Sequence, residues 1–96
     1  MKAMFVIFAA ASVLLAGAGF AQSGPDVVKG KGCLNCHDVA KKKVGPSFKD
    51  IAAKYKGNKD AAASLTAKLK DGKGHPKAAA SEAEIIAAVE HVLATK

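Results

Sequence analysis

Ninety-six residues leave room for one small domain. Half of them are hydrophobic but only 5% are aromatic, and fifteen lysines without a single arginine face eight acids, for a formal charge of +7. That composition argues against a nucleic-acid partner, because it offers neither bidentate guanidinium forks nor a platform of aromatics on which bases could stack.

Residues 1–21 read as a secretory signal peptide and residues 22–96 as the domain. Lys2 gives a basic start, Ala3 to Leu15 is an apolar run broken only by Ser12, and Ala16 to Ala21 is rich in small residues. Cleavage after Ala21, with Gly19 at the −3 position, is the first choice; cleavage after Ala18, with Ala16 at −3, is the second. The competing reading is an uncleaved anchor, for which the apolar run is short. Loss of Lys2 with the leader leaves fourteen lysines against eight acids, or +6. A basic surface on an exported protein steers toward an acidic protein partner.

A first helix begins near Pro25 and Asp26, with an acid at its positive end, and runs to Lys31. Gly30 and Gly32 are poor helix formers and are expected to mark a close approach of backbone to another element or to a bound group. The helix leads into Cys33-Leu34-Asn35-Cys36-His37, a C-x-x-C-H sequence, the attachment site for c-type haem. Two thiols at this spacing can each form a thioether with one vinyl group of a porphyrin. His37, next in the chain, can then turn its imidazole onto the iron. A redox dithiol would want a βαβ context, and no strand-like alternation occurs. A zinc site would need a second pair of ligands, and His75 and His91 are too far apart to form the usual arm. Because both cysteines lie in the motif, neither is left to staple the fold. A domain of about 75 residues is short of what side chains alone stabilise comfortably, and after Ala21 its only aromatics are Phe48 and Tyr55. A central haem would supply the missing apolar bulk.

After His37 the stretch Asp38 to Lys43 is polar and irregular, and Val44-Gly45-Pro46-Ser47 contains a Gly-Pro turn signal. Phe48, Ile51, Ala52 and Tyr55 follow at helical spacing with Ser47 as N-cap, and Gly57-Asn58 closes that helix. Another helix is predicted over Asp60 to Lys70, with Ala62, Leu65 and Leu69 on one face. Asp71-Gly72-Lys73-Gly74-His75-Pro76 is a loop. The last helix is announced by a capping box, Ser81 with Glu84, and continues with Ile85, Ala88, Val89 and Val92 as its apolar face. The chain is expected to be all-α, with about four short helices.

With these residues in place the chain resembles the small bacterial class I cytochromes c. The resemblance covers the whole of residues 22–96: the first helix, Cys33 to His37, Val44-Gly45-Pro46-Ser47-Phe48, Ala53-Lys54-Tyr55 and the capped last helix. It implies four helices wrapped around one covalent haem c, a monomeric carrier in the periplasm, and a Pro46 carbonyl that accepts a hydrogen bond from His37. Such a bond fixes the tautomer of the ligand and makes it a better donor. The resemblance also implies a close crossing of the first and last helices, with Gly30 as the small residue and His91 standing where an aromatic is usual. His91 is read as a packing residue rather than as an iron ligand.

The family closes its iron with a methionine from the loop before the last helix. This sequence has two methionines, Met1 and Met4, and both leave with the leader. In the register of the family, His75, followed by Pro76 and six residues before Ser81, stands where that methionine would be. His75 is therefore expected as the distal ligand, with a five-coordinate iron or a loop lysine, Lys73 or Lys77, as alternatives. Two imidazoles stabilise Fe(III) better than an imidazole and a thioether, which implies a lowered potential. A closed haem suits one-electron transfer to redox proteins, with Lys41, Lys42 and Lys43 near the haem edge as docking charges. The other class of function is a gas-binding or peroxidase-like haem protein with an open sixth position.

Overall fold

The computed structural model describes residues 23–96; the leader expected over residues 1–21 lies outside them. Four α-helices and one 3₁₀ turn make up the fold: α1 (Gly24–Gly30), the turn at Cys33–Asn35, α2 (Phe48–Lys54), α3 (Ala61–Asp71) and α4 (Glu82–Leu93). Among the described residues there is no strand. The all-α expectation holds.

Three of the four helix starts have a local cause. Pro25 sits in the first turn of α1, where its missing N–H costs nothing. Ser23 spends its hydroxyl on the Asp26 carboxylate, 2.8 Å away, and does not cap a backbone N–H. Ser47 caps α2 by accepting from the Asp50 N–H at 3.1 Å, and it is almost fully buried while doing so. At α4 the box is complete: the Glu84 N–H donates to Ser81 Oγ, and the Ser81 N–H donates to Glu84 Oε1 at 3.0 Å. Two orphan donors are thereby satisfied.

The last helix is the hub, since α1, α2 and α3 each pack against α4. Its Ala88 joins Val27, Val28 and Phe48 in the core, with Cys33, Leu34, Ile51 and Val92 packed around them. Ile85 and Val89 are buried as well. An ion pair of 3.7 Å between Lys31 and Glu84 links the exit of α1 to the start of α4.

The α1–α4 crossing is close, but its small residue is Gly24, not Gly30. A Cβ built at Gly24 would lie 2.5 Å from His91 Cβ and 2.6 Å from the Ala87 carbonyl oxygen, whereas Gly30 is exposed. The tight approach thus falls at the first residue of α1. Gly32 serves a turn instead: its φ of +78° carries the chain from α1 into the 3₁₀ turn. The expected face of α3 also divides. Leu65 and Leu69 line the main cleft, while Ala62 borders a separate shallow groove with Thr66 and Ile86. Residues 65 and 69 are one helical row, and residue 62 belongs to the neighbouring one.

Candidate haem site

The 3₁₀ turn places Cys33 and Cys36 on one wall of a cleft of about 630 Å³ and sends the following His37 into it. The Cys36 N–H and the His37 N–H both donate to the Cys33 carbonyl, at 3.2 and 3.0 Å, which tightens the motif. Cys33 and Cys36 are not joined to each other as a disulfide. Burial pushes the Cys33 thiol above its ordinary value, an effect larger than the opposing pull of a backbone hydrogen bond.

Three neighbours hold the His37 ring. Its Nδ1–H donates to the Pro46 carbonyl at 2.6 Å. The Phe48 ring lies 5.5 Å away, centroid to centroid. Against the ring stands the bare Cα of Gly45, where an added Cβ would come within 2.5 Å of Cε1 and 2.9 Å of Nδ1. The segment bearing Gly45 and Pro46 is itself fixed, because the Gly45 N–H donates to the Cys36 carbonyl at 2.7 Å. A carbonyl can only accept, so the bond to Pro46 keeps the proton on Nδ1 and leaves Nε2 as the bare nitrogen.

Across the cleft, the loop after α3 presents His75. Its ring is 6.0 Å from that of His37, and the two planes are within 5° of parallel. His75 Nδ1–H donates to the carbonyl of Pro76 at 2.7 Å, so here too the proton sits on Nδ1 and Nε2 is left as the bare nitrogen. Lys77 also borders the cleft. His91 lies elsewhere, half-buried over Gly24 at the helix crossing. Among the described residues no three His, Cys, Asp or Glu side chains gather as a metal-binding group.

The floor and far wall of the cleft are apolar, formed by Val28, Ile51, Leu65, Leu69, Val89 and Val92 among others. The lysines after the motif divide in role. The Lys43 ammonium donates to the Leu34 carbonyl at 3.0 Å and clasps the loop to the motif. Lys41 and Lys42 are exposed. The Asp38 carboxylate accepts from the Ala40 and Lys41 N–H groups at 2.9 and 3.0 Å, and these bonds hold its pKa below the ordinary value. Sequence reading missed Gly45, Gly24 and the clasp by Lys43. The Gly-Pro pair was a signal for the first, but only of a turn.

The family model for cytochrome c matches residues 21–96. Cytochrome c-552 of Nitrosomonas europaea is 49% identical over 72 residues, which is 75% of this chain and 69% of that one. Cytochrome c-551 of Azotobacter vinelandii is 42% identical over 82 residues, covering 78% of this chain and all of the relative. The crystal structure of wild-type Nitrosomonas europaea cytochrome c552 superposes with a TM-score of 0.67 at 36% identity, over 75% of this chain and 99% of that one. The fold is that of the class I cytochromes c. By sequence and by structure the chain belongs to the cytochrome c family: it is an electron carrier rather than an enzyme, works with redox partners, and takes one covalently attached haem c.

Proposed function

We propose that this chain is a periplasmic one-electron carrier whose haem is held by Cys33 and Cys36 and ligated by His37 and His75, at a lower potential than a His/Met relative. The observation that carries the reading is the pair of parallel imidazoles 6.0 Å apart across an apolar cleft. Two imidazole–metal bonds of about 2 Å each, with half a ring at either end, add up to about 6 Å. The donor set therefore fits one metal between the rings, and the thiols of the same wall fit the porphyrin's edge. When bound, the haem supplies the one-electron couple of its iron.

The rest is the work of the chain. His37 is fixed in tautomer and orientation by Pro46, Gly45 and Phe48. The apolar walls exclude water, so that little solvent reorganises with the change of charge. His75 in the distal position favours a closed iron, which suits a carrier better than gas binding or peroxidase chemistry. The leader read over residues 1–21 supports export to the periplasm, and no helix among the described residues is long and apolar enough to cross a membrane.

An optical and EPR spectrum of the oxidised holo-protein tests the ligation. A low-spin ferric signal of two near-parallel imidazoles is expected, and His75→Met should raise the midpoint potential. An unaltered potential and spectrum in that variant would remove His75 from the iron. Rapid and complete binding of CO to the reduced protein would favour the gas-binding class instead.

A further inference from the structure

The two histidines of the cleft share an arrangement that the sequence did not announce for both. Each is followed in space by a proline carbonyl that accepts its Nδ1 proton: Pro46 for His37 at 2.6 Å, and Pro76 for His75 at 2.7 Å. We propose that the Pro76 carbonyl is the positioning acceptor of the distal histidine, holding the proton on Nδ1 so that Nε2 is presented to the iron. This deepens the ligation proposed above and rests on it.

The loop gives the reason a local acceptor is needed. Gly72 and Gly74 both have positive φ, near +72° and +70°, so the segment before His75 has the freedom of glycine. Between the end of α3 and Ser81 the backbone is tied back by the Ala78 N–H to the Leu69 carbonyl and by little else. Among the described residues, no side chain from another element donates to or accepts from His75. Proline compensates from within the loop. Its ring fixes its own φ and keeps the residue before it extended. Two neighbouring residues thus have few conformations left, and in the one observed the imidazole closes onto the Pro76 carbonyl. His37 takes its acceptor from Pro46, nine residues on, and Gly45 and Phe48 also grip its ring. An acceptor on Nδ1–H also makes the imidazole the stronger donor, and outer partners of this kind typically change metal affinity by about 10–100-fold.

Two variants of the holo-protein test this. Pro76→Ala keeps the carbonyl but releases the backbone that aims it. Semisynthesis with an ester in place of the Pro76–Lys77 peptide keeps every side chain but weakens the carbonyl as an acceptor; the Lys77 N–H it removes donates to no backbone carbonyl among the described residues. In each, external imidazole should displace His75 from the ferric iron about tenfold more readily than in the parent. If only the ferric affinity weakens, that tenfold corresponds to a rise of about 59 mV in midpoint potential. The His75 Nδ1–H, followed by NMR, should exchange with solvent faster in both. Unchanged imidazole affinity and unchanged exchange, with the two-imidazole EPR signal retained, would overturn the role of Pro76 and leave the ligation standing. A parent protein without that EPR signal would overturn the ligation itself and this inference with it.

Discussion

Gly45 is bare because the His37 ring occupies the space that a side chain would take. Neither side can yield easily. The ring is held through Nδ1 to Pro46, and the Gly45 N–H is spent on the Cys36 carbonyl. Gly45→Ala should therefore displace the proximal imidazole or the turn, at the cost of about 1–3 kcal/mol that overpacking carries. A fall in melting temperature of at least about 4 °C per kcal/mol, together with an altered low-spin spectrum, is the expected outcome; a parent-like melt would show that the turn can move freely. This contact also shows where reading the sequence stops. The Cys33 to His37 spacing is chemistry between neighbours and is legible in the chain. The meeting of Gly45 with a ring eight residues earlier depends on the path of the intervening loop, and Gly-Pro announces only that the chain turns.

Helix by helix, the ends were legible and the crossings were not. Ser47, Ser81 and Glu84 act within three residues of themselves, so capping rules place α2 and α4 correctly. The α1–α4 crossing joins residues far apart in the chain, and the choice between Gly24 and Gly30 cannot be made from a single helix's pattern. Gly24→Ala should now be the costly substitution, by about 1–3 kcal/mol, and Gly30→Ala neutral or slightly stabilising because Gly30 is helical and exposed. Thermal melts of the two holo-variants decide between the positions. Ser81→Ala should cost about 1 kcal/mol by loss of its cap. The same ends set an acid limit. Glu84 is held below its ordinary 4.5 chiefly by the Ser81 backbone N–H, then by the Ser81 side chain and Lys31, and Asp38 below 3.8 by the Ala40 and Lys41 N–H groups. A depressed carboxylate gives stability that is complete above its unfolded value and lost as pH falls through the folded one. Denaturant melts should be flat from neutrality to just above those ordinary values and weaken below them, and Asp38→Asn should shrink that acid loss.

At the scale of the described domain, a small core packed on α4 borders a large apolar cleft. Among the described residues the buried core is built largely of valines and alanines, with Phe48 as its only aromatic, and Leu65, Leu69 and Ile51 spend their surface on the cleft wall. A domain this small draws its stability from whatever fills that space. Replacing Cys33 and Cys36 together by alanine should thus remove the covalent haem and leave a chain with much reduced helical circular dichroism. A fully helical, cooperatively melting product would mean that the core suffices alone. The second property of the whole is charge. Fourteen lysines against eight acids over residues 22–96 give a net positive field, and Lys41 and Lys42 add exposed charge just after the motif wall of the cleft, while Lys43 is engaged with Leu34. Such a field speeds encounter with an acidic redox partner and is screened over about 10 Å at 0.1 M salt. The bimolecular rate of electron transfer to an acidic redox protein should fall steadily as ionic strength rises, and Lys41→Glu with Lys42→Glu should slow it at low salt while converging on the parent at high salt. Lys43→Gln should act differently, loosening the loop over the motif with less effect on the salt slope. A rate indifferent to salt in parent and variants alike would place the docking surface away from these lysines.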